Sequence, residues 1–152
     1  MCYLYLIISG ILFVFLGFLV FHGVKDPGVF LGAVLATVCA IIGFFTPVRE
    51  ELYCNKKDNV CIVTSRYLTG KEKKKNIADY NSIIGAEVVL FPSFWRGLFF
   101  KTSNNAKIRI FNRFTHYTDL AFDMYRLQAN YLNSAFARQS EEIRLKHNDY
   151  LE

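Results

Sequence analysis

The stretch ELYCNKKDNVCIV, residues 51–63, decides the fold of the larger part of this chain. Two short apolar runs flank the turn-forming residues NKKDN, and this pattern predicts a β-hairpin. If the turn is centred on Lys57 and Asp58, Cys54 and Cys61 lie directly opposite one another. One face of the hairpin then carries Leu52, Cys54, Cys61 and Val63.

The opposed cysteines allow three interpretations: a disulfide, a metal site or a pair of core-facing thiols. Two cysteines cannot build a four-thiolate zinc site, and the three histidines have no ligand spacing, so we expect no metal and no other cofactor. In a reducing cytoplasm we expect free thiols packed in the core. On the opposite side of a membrane the same geometry would allow a cross-strand disulfide.

The residues before the hairpin have the composition of membrane-embedded helices. Residues 3–24 and 29–45 carry no Asp, Glu, Lys or Arg and approach the roughly 17 to 25 residues that span a bilayer. A cleavable signal peptide fits poorly, because there is no basic leader and a second apolar run follows at once. We therefore predict a transmembrane helical hairpin within residues 1–47.

Two spans return the chain to its starting side, and charge indicates which side that is. The loop HGVKDPG holds one Lys offset by one Asp, whereas several basic residues follow the second span. The positive-inside bias therefore predicts that both termini and the domain are cytoplasmic.

Small residues on the second span predict how the two helices pack. Gly32, Ala36 and Ala40 form a small-xxx-small ridge, and Gly10 and Gly17 on the first span are candidates to face it. The ridge is expected to lock the hairpin on itself; it could also serve a homo-oligomer or a complex with other membrane subunits.

The remainder reads as about six short antiparallel strands, a helix and a polar tail. The segment KEKKKN is expected to form a charged hairpin tip, and Thr118 to cap the helix. One helix face is expected to pack on the sheet; it contains Leu120, Met124, Leu127, Tyr131 and Ala135, and is widened by Phe122, Ala129 and Leu132. Residues 137–152 are expected to form a polar helical tail whose partner contacts would be Ile143, Leu145, Tyr150 and Leu151.

Two further groups of residues are candidates for contact with lipid headgroups. The basic group is Lys71, Lys73, Lys74 and Lys75, and the aromatic loop contributes Phe94, Trp95 and Arg96. Basic residues on a hairpin tip could equally serve only to solvate it, and the loop aromatics could belong to the core.

The order of these elements resembles the small bacterial membrane proteins that have two transmembrane helices and a pleckstrin-homology-like domain. The residues that carry the likeness are YCNKKDNVCIV, residues 53–63, and IRIFNRFTHYTDLAFDMYRLQANYLN, residues 108–133. The resemblance implies that residues 48–136 form an α+β domain, an antiparallel β-sandwich or barrel of six to seven strands closed by a C-terminal amphipathic helix. It also implies a location in the bacterial inner membrane.

Function is less constrained by the sequence than architecture. We expect no enzyme, because no glycine-rich phosphate loop, HExxH motif or nucleophile elbow is present. The first hypothesis is a non-catalytic, membrane-anchored binding or scaffold module, an accessory subunit of a larger inner-membrane complex. The alternative is a peripheral sensor of anionic lipid. We expect neither a nucleic-acid partner nor a small-molecule substrate.

Overall fold

A computed structural model describes residues 2–23, 27–91, 95–112, 115–116 and 119–148 of the 152-residue chain. In that part of the chain it has three α-helices, one 3-10 turn and two antiparallel sheets. The chain divides into two compact units. The first contains the described residues of Met1–Val48 and Tyr67–Lys71, and the second contains those of Arg49–Arg66 and Glu72–Asn148.

The first unit contains two apolar helices, α1 (Cys2–Phe21) and α2 (Pro27–Phe45). They approach closely where small residues of α2 meet α1. The Ser9 hydroxyl donates a hydrogen bond to the Ala36 carbonyl at 2.9 Å, and Ala36 is fully buried. A Cβ atom added at Gly32 would lie 3.0 Å from a methyl of Leu16, so this glycine sits in the contact.

By length and composition, α2 could cross a membrane, whereas the apolar helix found in α1, Leu6–Phe21, is shorter than that test requires. A buried core helix or a signal sequence would pass the same test as α2. The two-helix membrane hairpin therefore stays a prediction.

The second unit contains two four-stranded sheets. The first, sheet A, has the order β3-β2-β1-β8. Its strands are β1 (Arg49–Asn55), β2 (Val60–Arg66), β3 (Glu72–Ala78) and β8 (Glu142–Asn148). The β1–β2 register pairs Cys54 with Cys61, which confirms the hairpin predicted from residues 51–63.

Sheet B has the order β4-β5-β6, and β7 also pairs with β5. Its strands are β4 (Ile83–Leu90), β5 (Trp95–Thr102), β6 (Lys107–Arg109) and β7 (Thr115–His116). The 3-10 turn Tyr80–Ser82 connects the two sheets. The helix α3 (Asp119–Ala137) packs mainly against β4. The core contains side chains of both sheets and of α3, among them Leu52, Phe100, Leu132 and Ile143. An α+β domain with antiparallel sheets and a helix is therefore present.

The segment KEKKKN is not a hairpin tip, as the sequence analysis expects, but most of strand β3. Residues 72–76 pair with Ile62–Arg66 of β2, and the turn lies earlier, where Gly70 has a φ of +76°. Backbone pairing with β2 gives these lysines an extended conformation, and their charges remain in solvent at the edge of the sheet.

The prediction of a polar helical tail is also wrong, because Glu142–Asn148 form the strand β8 beside β1. The helix ends because Gln139 adopts a φ of +54°, and the Gln139 and Ser140 N–H groups donate to the carbonyls of Phe136 and Ala135. After this stop, buried Ile143 and His147 alternate with exposed Arg144 and Lys146, which is the period of a strand.

The helix α3 packs with only part of the face expected: Ala129, Leu132 and Ala135 are buried as predicted, whereas Leu120, Leu127 and Tyr131 are exposed. Its buried residues are Ala121, Tyr125, Ala129, Leu132 and Ala135. Leu120 and Leu127 are 71% and 67% exposed. The helix approaches β4 closely, since a Cβ atom added at Gly85 would lie 2.6 Å from Asn133 Oδ1.

Candidate binding surfaces

The first candidate surface is a row of apolar residues on α3, two of which, Leu120 and Leu127, are more than half exposed. We call it the α3 stripe: Leu120, Met124, Leu127 and Tyr131. The spacing of four, three and four residues places all of them on one side of the helix. Tyr131 is 49% exposed and Met124 is half-buried, so the stripe offers both aliphatic and aromatic area. A continuous apolar row of this kind suits contact with another helix or with a groove.

The second surface is the edge of sheet A at β3. We call it the basic edge: Lys73, Lys74 and Lys75. All three residues are exposed, and the strand has solvent on both faces from Glu72 to Asn76. Lys73 and Lys75 lie opposite Ser65 and Val63 of β2, while Lys74 lies opposite Thr64. The lysines therefore alternate between the two faces of the sheet.

The basic edge carries positive charge without acidic partners inside the described chain. Glu72 is already paired, since its carboxylate lies 2.5 Å from Nε of Arg66. No ion pair involves Lys73, Lys74 or Lys75 among the described residues. Lys71 lies in the turn between β2 and β3, and its carbonyl accepts a hydrogen bond from Tyr67 N–H. The four lysines proposed as one lipid-binding group are therefore not presented on one face.

A cleft of about 470 Å³ lies beside the end of β3. Ile77 and Ile108 contribute most of the aliphatic groups that line the cleft, and its polar lining consists of hydroxyl, amide and carboxylate groups. The polar residues are Asn76, Asp79, Ser82, Thr102, Ser103 and Asn104. Thr102 Oγ1 donates within the β5–β6 turn, while the Asn76 and Asp79 side chains make no hydrogen bond to other described residues. The cleft is thus able to accept and donate hydrogen bonds to a ligand.

Arg96 does not occupy the position that a lipid-phosphate ligand would need. The residue is only 4% exposed, and its guanidinium carbon lies 4.0 Å from the centre of the Phe122 ring of α3. This stacking holds β5 against the helix. Trp95 is half-buried in β5, and its pairing with His116 belongs to sheet B. Phe94 lies outside the described residues. The prediction that Arg96 contacts a lipid headgroup is therefore wrong.

The glycines of α1 do not face α2, as the sequence analysis expects. A Cβ atom added at Gly10 or Gly17 would meet nothing within 4 Å, and both residues are exposed. The contacts with α2 come instead from buried Ser9 and Leu16. On α2 the prediction fits Gly32 and Ala36, while Ala40 is half-buried.

The residues predicted for partner contact in the tail are part of the fold. Ile143 is fully buried in β8 opposite Cys54, and half-buried Leu145 lies opposite Leu52. These side chains cannot bind a partner without leaving the core. Tyr150 and Leu151 lie outside the described residues.

A buried carboxylate network was missed by the sequence analysis. Glu50 is fully buried, and its Oε1 accepts hydrogen bonds from Ser65 Oγ at 3.0 Å and from Asn112. The Asn112 backbone N–H donates at 3.1 Å and its side-chain Nδ2 at 3.0 Å. The network joins β1 and β2 to the segment that follows β6. The signal was available, because extending the alternation of Leu52 and Cys54 backwards by two residues places Glu50 on the core face.

Two basic residues lie close to this network. Burial lowers the pKa of Arg109 below its ordinary value, and the Glu50 charge opposes that shift. Arg109 also donates to the Asn112 carbonyl. His147, the β8 partner of Glu50, stacks on Phe111 with the ring centres 5.2 Å apart. Full burial of Glu50 suits a structural role in joining strands, because a substrate would have no access to its carboxylate.

Cys54 and Cys61 are joined by a disulfide, and both residues are fully buried. The expectation of free thiols is therefore wrong. The structure has the cross-strand disulfide, which was the alternative expected on the oxidising side of a membrane.

Comparisons with protein-family models, with curated protein sequences and with solved structures find no match to this chain. The surfaces described above therefore carry the argument about function.

Proposed function

We propose that this chain is a non-catalytic binding module, anchored in a membrane by its apolar helices, that acts as an accessory subunit of a larger membrane-protein complex. The observation that carries the proposal is the α3 stripe. Leu120 and Leu127 remain more than half exposed on a helix whose opposite face already fills the core. Exposed apolar rows of this kind are typical of protein contact sites.

The membrane anchor is supported by the composition of α1 and α2, whose outer surfaces are largely apolar. The pleckstrin-homology-like architecture and the bacterial inner-membrane location remain part of this proposal. Charge distribution favours a cytoplasmic domain, whereas the Cys54–Cys61 disulfide favours the oxidising side, because cytosolic reductants keep thiols reduced. The disulfide is a specific covalent contact between Cys54 and Cys61, whereas the charge argument depends on the few charges of the short loop HGVKDPG. We therefore favour the oxidising side.

Recognition of anionic lipid is the second candidate, and the basic edge supports it. Each exposed lysine near an anionic surface would contribute about 1 kcal/mol. The burial of Arg96 weakens this candidate, because the arginine expected to bind phosphate is stacked on Phe122.

Native purification tests the leading proposal. The full chain, carrying an affinity tag, is extracted in an uncharged detergent, and co-purifying proteins are quantified by mass spectrometry. We expect a partner in stoichiometric amount. We expect Leu120→Ser with Leu127→Ser to lose that partner, since both side chains are exposed and their replacement leaves the core intact.

The matched control is Ile84→Ser with Leu90→Ser, which removes two apolar side chains of similar exposure, 58% and 62%, from β4. This variant should retain the partner. Equal recovery of the same proteins from the wild type and the α3 variant would contradict a contact through the α3 stripe. Absence of any stoichiometric partner, together with salt-sensitive binding to anionic vesicles, would favour the lipid candidate.

A further inference from the structure

We propose that the basic edge is a second binding site, which takes an extended acidic peptide as an added strand of sheet A. The site is separate from the α3 stripe and goes beyond the function proposed above. Its chemistry combines backbone hydrogen bonds from β3 with ion pairs from Lys73, Lys74 and Lys75.

The first observation is that β3 is an open sheet edge. Sheet A ends at β3, and the backbone of Glu72–Asn76 has no hydrogen-bond partner other than β2 among the described residues. The strand is exposed on both faces over the same residues. An antiparallel or parallel peptide could therefore pair with the free N–H and C=O groups without displacing any side chain of the domain.

The second observation is a contrast with the edge of sheet B. At β4 the side-chain amide of Asn133 forms two hydrogen bonds with the backbone of Ala86. Its Oδ1 accepts from the Ala86 N–H at 2.5 Å, and its Nδ2 donates to the Ala86 carbonyl at 3.1 Å. The fold thus covers one sheet edge at this point with a side chain and leaves β3 open along five residues.

The third observation is charge. The three consecutive lysines form no ion pair with the residues that the structure describes, and they repel a second copy of the same edge, so self-pairing is disfavoured. An acidic strand would instead be attracted to the lysines. Because the lysines alternate between the two faces, three consecutive acidic residues of an added strand would each lie opposite one lysine.

The fourth observation concerns the next residues along β3. Asn76, Ile77 and Ala78 line the cleft of about 470 Å³, so a strand paired with Lys73–Lys75 would continue towards it. The cleft would then receive a polar or small aliphatic side chain of the peptide.

Fluorescence anisotropy with the full chain in uncharged detergent provides the test. The probe is a labelled seven-residue peptide with three central glutamates, flanked on each side by one valine and one threonine. The first control peptide has glutamines in place of glutamates. The second keeps the three glutamates but separates them with prolines, which preserves the charge and prevents strand pairing.

We expect the glutamate peptide to bind and both control peptides to bind at least about tenfold more weakly. Lys73→Gln, Lys74→Gln and Lys75→Gln together should lower affinity about tenfold. The charge-matched control of three exposed lysines elsewhere, Lys57→Gln, Lys101→Gln and Lys146→Gln, should change it less than about twofold. In hydrogen exchange, outward-facing β3 amides should become protected by the glutamate peptide alone.

Equal binding of the proline peptide, or no protection of β3 amides, would overturn strand addition. Failure of the glutamate peptide to bind, combined with lysine-dependent binding to nanodiscs containing anionic lipid, would assign the basic edge to lipid instead. Neither result affects the α3 variants, which test the other surface.

Discussion

The amide of Asn133 pairs with both backbone groups of Ala86 and so takes the place of a neighbouring strand at the edge of sheet B. A Cβ atom added at Gly85 would lie 2.6 Å from Asn133 Oδ1, so the adjacent position must be glycine for the amide to reach the strand. This contact fixes α3 on β4 and thereby determines which helix face is left in solvent.

Asn133→Ala should lower the free energy of unfolding by about 1–3 kcal/mol, because the Ala86 N–H and carbonyl lose their partner. Gly85→Ala should also destabilise, by displacing the amide. The double variant should lose less than the sum of the two single losses, since both act on one contact. Denaturant titration in detergent measures all three, and Asn130→Ala on the exposed side of α3 should change stability by less than about 0.5 kcal/mol. Full additivity would contradict the shared contact.

Glu50→Ala should lower the free energy of unfolding by about 3–5 kcal/mol, because the variant leaves the donors of Ser65 and Asn112 without their acceptor and removes the negative charge that favours charged Arg109. Glu50→Gln should cost less, since it retains an acceptor oxygen. The neighbouring variant Glu51→Ala removes only a half-exposed pair with Arg49 and should cost about 0–1 kcal/mol. Thermal unfolding monitored by circular dichroism would distinguish them, and equal losses at the two positions would contradict the buried network.

The Cys54–Cys61 pair should resist alkylation in acid-quenched cells until a reductant is added, because the two sulfurs are joined. A maleimide that adds mass to each free thiol reports the result as a gel shift. Cys54→Ala with Cys61→Ala identifies the shift caused by the remaining cysteines. Full alkylation without reductant would show free thiols in the cell and favour the cytoplasmic placement predicted from charge.

Gly32→Leu should lower the thermal stability of the helix pair, because even a Cβ atom there approaches Leu16 to 3.0 Å and overpacking costs about 1–3 kcal/mol. Gly10→Leu and Gly17→Leu are matched controls on α1, where a Cβ atom meets nothing within 4 Å. These controls should leave the midpoint unchanged or raise it, since leucine favours a helix more than glycine does. A loss of stability at Gly10 similar to that at Gly32 would contradict the observed helix contact.

Local patterns predicted the parts of the fold whose partners are close in sequence. The β1–β2 hairpin followed from residues 51–63, because its turn chemistry and two-residue alternation lie within one short stretch. The strand β8 did not, because its partner β1 is distant in sequence and its composition is mostly polar. Its strand character depends on a tertiary pairing that overrides helix propensity.

The candidate surfaces were likewise predictable only as far as the local sequence pattern determines them. Periodicity identified the α3 stripe but assigned it to the core, since apolar spacing does not distinguish between two apolar faces of one helix. The packing of α3 shows that the buried face is instead the one that contains Ala121, Tyr125, Ala129, Leu132 and Ala135. Likewise the run of lysines was evident, but only pairing with β2 showed that it is a strand edge.

The pairing of Arg49 with Asn148 has a consequence for biosynthesis. The ribosome makes β1 first among the strands, yet its second neighbour emerges roughly ninety residues later, so this sheet closes through a long-range contact of the kind that slows folding. At the usual rates of elongation β1 waits on the order of ten seconds for that neighbour. During that interval the half-made sheet is most exposed to chaperones and to mispairing with other nascent chains.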